Sequence, residues 1–160
     1  MGKKSLVIAL NGNEFPEGYV PTIFENYRQE VEFEDNKYTL IWNTGMGTDD
    51  YDNLRPEFYG QSDVIFLCFS LVCKQSFTDL TERWIGEIRH FSKSAIVILL
   101  GTKSDERDDS NAAHVTDKQA KAFASKHKCA AFIACSPKNG DGMDQIFPAL
   151  LSSRKKCLLL

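Results

Sequence analysis

Three runs of nearly unbroken apolar residues punctuate the chain: Leu6 to Leu10, Val64 to Phe69 and Ala95 to Leu100, each bounded by polar or glycine residues. A run without alternation leaves no polar face for water, so each reads as a strand buried on both faces. Between the last two, Phe77, Leu80, Trp84, Ile85, Ile88 and Phe91 fall at helical spacing and give one apolar stripe from about Ser76 to Phe91. Strand, crossover helix and parallel strand follow as one unit.

Upstream, Val31 and Phe33 alternate with charged residues, Glu34 to Lys37 supply turn chemistry, and Tyr38, Leu40 and Trp42 alternate again. That pattern predicts a β-hairpin reaching the sheet edge. Downstream, Thr116 and Gln119 have capping-box spacing before a helix with Ala120, Phe123 and Ala124 on its apolar side. A short strand follows near Ala131 to Cys135. The last helix starts near Gly142, and Pro148, which lacks a backbone donor, implies a kink or a shifted start there. The fold class is therefore α/β, a mostly parallel sheet with one antiparallel edge strand and helices on both faces. In such sheets ligands bind at the carboxyl ends of the strands, so the loops decide the chemistry.

Composition narrows the setting. At 160 residues, 42% hydrophobic and 26% charged, the chain fits one compact soluble domain, and its formal charge of −3 gives no general attraction for nucleic acid. The five cysteines are an odd number without CxxC spacing, and the three histidines make no HxxxH pattern. A reduced cytosolic protein without a structural metal is the simplest reading. Ser5 falls one place short of the position that myristoylation at Gly2 would need, so that anchor is rejected.

The loops are more specific. Phe15-Pro16-Glu17-Gly18-Tyr19-Val20-Pro21-Thr22-Ile23-Phe24-Glu25-Asn26-Tyr27 closely resembles the first switch, or effector loop, of Rho-family small GTPases of the Rac and Cdc42 kind. Further matches follow in the family's order. Asp50-Tyr51-Asp52-Asn53-Leu54-Arg55-Pro56 resembles the second switch, Gly101-Thr102-Lys103-Ser104-Asp105 resembles the guanine-reading loop, and the terminal Cys157-Leu158-Leu159-Leu160 resembles a prenylation box. The resemblance covers nearly the whole chain from Phe15 onward. It implies a small-GTPase-like, three-layer fold, GTP or GDP with magnesium as cofactors, and a signalling role linked to actin organisation. Guanine contacts would come from Thr102, Lys103, Asp105, Ser136 and Lys138. Tyr19, Val20, Pro21, Thr22, Phe24, Glu25, Tyr51, Leu54 and Arg55 would form the surface read by effectors and regulators, with Thr22 also the one matched hydroxyl ligand for magnesium.

The chain departs from that family where phosphate is held. A phosphate loop needs GxxxxGK[ST] after the first strand, so that backbone N–H groups and a lysine converge on the phosphates. Here only Asn11-Gly12-Asn13-Glu14 separates the first apolar run from the effector loop, and about a dozen residues, the loop and first helix of relatives, are missing. Losing one buried charge partner costs about 2 to 5 kcal/mol, and several are lost together. The family's Asp-Thr-Ala-Gly-Gln stretch stands here as Asn43-Thr44-Gly45-Met46-Gly47-Thr48, without the acid that supports magnesium or the glutamine that orients water. Ser136-Pro137-Lys138 puts proline where a backbone N–H reads the guanine oxygen. A second gap follows Arg107-Asp108-Asp109, where Rho relatives insert a helix. The missing first helix would also uncover on the order of 400 Å² of apolar sheet, roughly 10 kcal/mol at about 25 cal/mol/Å².

These features divide the chain into a truncated Rho-like G domain, residues 1–153, and a basic tail, residues 154–160. In the tail, Arg154-Lys155-Lys156 precedes Cys157, and the terminal leucine favours geranylgeranyl. One lipid and three basic residues, about 1 kcal/mol each at an anionic surface, imply reversible attachment to the cytoplasmic face of membranes, the plasma membrane foremost, with a cytosolic pool. Three readings stand: a membrane-tethered pseudo-GTPase with no catalytic residues, a divergent GTPase that still cycles, and a splice form or gene-model product lacking a P-loop exon.

Overall fold

A computed structural model of the chain describes residues 2–12, 25–44 and 52–157, without the side chains of residues 25 and 154–157. Its central layer is a parallel sheet of β3 (Val64–Ser70), β4 (Ile96–Thr102) and β5 (Ala131–Ala134), in that spatial order. Val64 lies beside Ile96, and Ile98 beside Ala131. Because side chains alternate across a strand, the runs supply two cores. Leu67, Phe69, Val97 and Leu99 face one side, and Phe66, Cys68, Ile98 and Leu100 face the other.

The first face is covered by the predicted crossover helix and by α5 (Asp117–Lys126). The crossover is continuous but not uniform: α3 (Lys74–Asp79) passes through a π-helical stretch, Leu80–Trp84, into α4 (Ile85–Phe91). Leu80, Ile85 and Ile88 from it pack with Phe123 and Ala124 of α5. The capping box forms as its spacing predicts, with Gln119 N–H donating to Thr116 Oγ1 at 3.3 Å and the Thr116 N–H donating to Gln119 Oε1 at 2.9 Å.

The hairpin also forms. β1 (Glu25–Phe33) pairs antiparallel with β2 (Asn36–Thr44), and Glu34 and Asp35 between them both take left-handed φ, 48° and 63°, as a two-residue hairpin turn demands. It does not join the parallel sheet as an edge strand, however; it is a separate two-stranded sheet.

The first apolar run departs furthest from expectation. Leu6 to Leu10 is not a strand but most of helix α1 (Lys3–Leu10). A five-residue apolar run is too short for periodicity to separate a buried strand from a buried helix, and here Leu6, Val7 and Leu10 share the inward side. That side packs on the second sheet face with Ile98, Leu100, Ile133 and residues of α6 (Ile146–Cys157). The uncovered sheet face inferred from the missing helix is thus covered in part by the segment expected to be the first strand. In α6, Pro148 is the third residue, inside the first turn where backbone donors lack helical partners anyway, so the shifted start removes the kink. The backbone of α6 runs to Cys157, so the boundary drawn between domain and tail falls within a helix.

One side chain links the layers. Trp42 stacks on Phe66 of β3 with ring centroids 5.4 Å apart and meets Phe147 of α6 edge-on at 6.3 Å. Its indole N–H donates to Gln29 Oε1 at 3.2 Å, and Gln29 Nε2 donates to the Leu10 carbonyl at 2.6 Å, which satisfies an orphan acceptor at the end of α1. Trp42→Ala should therefore cost about 3 to 5 kcal/mol. Hydrogen exchange should show the β1–β2 amides losing protection while the β3–β4 amides keep theirs.

Candidate functional site

The carboxyl ends of β4 and β5 bring the predicted guanine loops side by side. Lys103 leaves β4 in the left-handed region (φ 63°), which turns the chain into a single 3₁₀ turn, Ser104–Glu106. The loop after β5 is drawn to it: the Ser104 hydroxyl donates to Asp141 Oδ2 at 2.7 Å, Ser104 N–H donates to the Cys135 carbonyl at 3.2 Å, and Ser136 N–H donates to the Asp141 carbonyl at 2.8 Å. Gly142 closes the same turn at φ 66°, with Ala134 O lying 2.2 Å from where a Cβ would sit. Any other residue there would push the loop off β5.

Within this frame the expected residues differ in what they can offer. Asp105 is exposed, and among the described residues its carboxylate has no hydrogen bond or ion pair, so it is free to accept from a ring N–H and an exocyclic amine. Lys103 is partly exposed and reaches Glu106 at 3.0 Å. Thr102, by contrast, is fully buried, and its hydroxyl donates to the Phe69 carbonyl at 3.0 Å, tying β4 to β3. Ser136 is also fully buried; its Oγ accepts from Lys138 N–H at 3.2 Å and braces the loop from within. Lys138 is exposed, and Pro137 between them has no N–H to present. Ser104, within the matched stretch but given no role there, and Asp141, outside any matched stretch, hold the loops together. The only local signal for Asp141 is its place between two glycines, Gly140 and Gly142, both at positive φ.

Among the described residues, those at this site offer more to the base of a guanine nucleotide than to its phosphates or to magnesium. Asn11 and Gly12 follow the C-terminus of α1, whose free carbonyls carry partial negative charge, whereas anions are held at helix N-termini. Asn43 is exposed near the end of β2 and brings no charge for a cation. Among the described residues, no group of three or more His, Cys, Asp or Glu could hold a metal ion. Thr22 lies outside the described residues.

So do Tyr19, Val20, Pro21, Phe24 and Tyr51. Glu25 opens β1 opposite Thr44, and Cys157 ends α6. Leu54 is 50% exposed and suits a contact surface. Arg55 does not: it is 2% exposed, which corrects its reading as a presented switch residue. It pairs with Asp52, donates through Nε to Glu87 at 3.1 Å, and lies over the Trp84 ring at 5.0 Å. Arg83 stacks on the same ring and reaches Asp52 at 2.8 Å. Burial, and after it the Glu87 carboxylate, pushes the Tyr59 hydroxyl well above its ordinary pKa, so it stays protonated beside that carboxylate. This cluster pins α2 (Arg55–Gln61) to the crossover helix. At the second gap, where the resemblance implies an inserted helix that the shortened sequence lacks, Asp108 accepts from the Ser110 N–H at 2.9 Å and hydroxyl at 2.7 Å in a compact turn. Those hydrogen bonds hold the Asp108 carboxyl below its usual pKa.

Arg55→Ala would strand the partly buried Glu87 and should lower the unfolding free energy by about 3 kcal/mol. Leu54→Ala, beside it in sequence, should change it by less than about 0.5 kcal/mol. Urea titration distinguishes the two, and equal effects would contradict the burial of Arg55.

Comparison with known proteins agrees with this architecture. The Ras family model matches residues 1–156. The chain is 36% identical to GTP-binding protein RHO1 of Candida albicans, over 99% of this chain and 90% of that protein. It is 35% identical to GTP-binding protein rho4 of Schizosaccharomyces pombe, over 99% and 88% of the two chains, and 36% identical to RHO1 of Saccharomyces cerevisiae, over 92% and 75%. The first alignment spans 179 positions, more than the 160 residues of this chain, so it contains gaps here. With a parallel sheet, a hairpin and paired base loops in this order, the chain belongs to the Ras family of small GTPases, as a member of its Rho branch.

Proposed function

We propose that this protein is a Rho-type signalling module whose contact surfaces outlast its nucleotide chemistry: a membrane-tethered pseudo-GTPase that binds effectors and regulators. The observation that carries this reading is the lack of GxxxxGK[ST] anywhere in the sequence, with a helix C-terminus following the first apolar run instead. Asn43 and Pro137 support it at separate positions, one by removing a charge near the cation and the other by removing a donor near the base. Asp105 and Lys103 retain part of the base-reading chemistry, so weak guanine binding without firm phosphate or magnesium binding is the expected residue of function. Partners would read residues of the first switch stretch, Tyr19 to Glu25, and Tyr51 with Leu54 of the second.

A second reading rests on the relatives, each named a GTP-binding protein: a GTP-binding switch that still hydrolyses, with other backbone donors replacing the missing loop. Titration of the full chain with a fluorescent GTP analogue in magnesium separates the two. The pseudo-GTPase reading expects no saturable binding in the sub-micromolar range; tight, magnesium-dependent binding would establish the second.

Membrane attachment would come from geranylgeranyl on Cys157 and the basic residues Arg154, Lys155 and Lys156. Since α6 carries the backbone to Cys157, the lipid would sit at a helix end with little spacer and hold the domain near the cytoplasmic face of the plasma membrane. Cys157→Ser should release the protein to the cytosolic fraction. Unchanged membrane association in the variant would remove the lipid from the proposal.

A further inference from the structure

The charges of this domain are sorted by place. Acids crowd the hairpin, where Glu30, Glu32, Glu34 and Asp35 are all exposed, whereas residues 88–104 and 118–140 contain no aspartate or glutamate. The first acid-free stretch includes the end of α4 and the turn into β4, and the second includes nearly all of α5 and the turn into β5. Each helix returns to the start of the strand that follows it, so both end at the amino ends of β4 and β5, away from the guanine loops. Arg89 joins them there. Its Nη2 donates to the carbonyls of His127 at 2.8 Å and Lys128 at 3.3 Å, and its Nη1 donates to the Ala95 carbonyl at 3.4 Å. With its guanidinium spent on those carbonyls, Arg89 braces the corner and leaves outside contacts to its neighbours.

What the corner presents is Lys93, Lys121, Lys126 and Lys128, all exposed, together with Phe91, which is 46% exposed. Lys128 takes φ 54°, a left-handed position after a helix that glycine fills with least strain, so a charge stands where the backbone favours glycine. Asp63, exposed just before β3, is an acid at this end of the sheet, and the lysines outnumber it. Ammonium groups on flexible stems reach lipid phosphates while an aromatic ring enters the interface beside them. The last helix favours a bilayer as the anionic partner. It follows Gly142, which packs against Ala134 at the carboxyl end of β5, and its 12 residues carry it about 18 Å back along the second sheet face. Its backbone therefore ends at the same end of the domain as α4 and α5, where the reading given above puts the lipid. We propose that this corner docks on an anionic phospholipid bilayer as a second contact besides the tail; the choice of a bilayer over an acidic protein rests on that reading. Docked in this way, the domain turns its guanine loops, at the opposite ends of the strands, away from the membrane.

Sedimentation with vesicles of phosphatidylcholine alone, or of an equimolar mixture with phosphatidylserine, tests this on the full chain. Every sample carries Cys157→Ser, so the lipid is absent and a failure here is distinct from a failure of the lipid reading. The chain should bind the mixed vesicles and not the neutral ones. Lys126→Gln with Lys128→Asn should lower the partition coefficient more than about tenfold, at roughly fivefold per lysine, and Phe91→Ser should also lower it. Lys37→Gln with Lys74→Gln removes the same charge from the hairpin and the start of α3, and should lower it less than about twofold. Unchanged urea midpoints would show that the variants fold. No binding to the mixed vesicles would overturn the proposal, as would equal losses in the two double variants. Binding to poly-glutamate that depends on Lys126 and Lys128, with vesicle binding that does not, would assign the corner to an acidic protein and overturn the bilayer.

Discussion

A parallel sheet whose strands are apolar on both sides must be covered twice, and that requirement places nearly every other element of this protein. β3 and β4 send Leu67, Phe69, Val97 and Leu99 to one face and Phe66, Cys68, Ile98 and Leu100 to the other. Elements with their own hydrogen bonds satisfied, helices above all, can cap such faces without burying unpaired backbone. The crossover helix and α5 take the first face. The second falls to α6, to Trp42 from the hairpin, and to α1, which carries the apolar N-terminal run. Between β2 and β3 this arrangement leaves a cavity.

The candidate site divides along the same line. Its base-reading half hangs on the strands that are intact: β4 and β5 end side by side, and Ser104, Asp141 and Gly142 hold their loops in register. The phosphate half would hang on the segment after the first run, where a helix ends in carbonyls. Among the described residues, Asp105 is an exposed acceptor after β4, and the segment after the first apolar run follows a helix C-terminus and not an N-terminus. Leu54 lies exposed beside this frame, and Arg55 fixes α2 against the crossover helix.

Most of the regular structure was legible because its signals are local. The hairpin shows in strict alternation around Glu34-Asp35, the capping box in the Thr116 and Gln119 spacing, and the parallel unit in two long apolar runs flanking a helical stripe. The loops after β4 and β5 stand out by their resemblance, but which of their side chains face outward is not legible in it. Thr102 and Ser136 match the expected pattern by identity, yet their hydroxyls are spent on Phe69 and Lys138, a fact of packing that no spacing rule carries.

The sequence by itself determined the α/β class, the hairpin, the crossover and the absence of a GxxxxGK[ST] pattern, because each depends on residues near one another along the chain. Only the tertiary structure decided that Leu6 to Leu10 is helical, that the hairpin stands apart from the parallel sheet, and that Arg55 is an internal tie. Each of these depends on which distant surface needs covering: a five-residue apolar run satisfies a strand or a helix equally well until a neighbour claims one of its faces, and an arginine is a contact residue or a core residue according to whether Glu87 and Trp84 lie beside it.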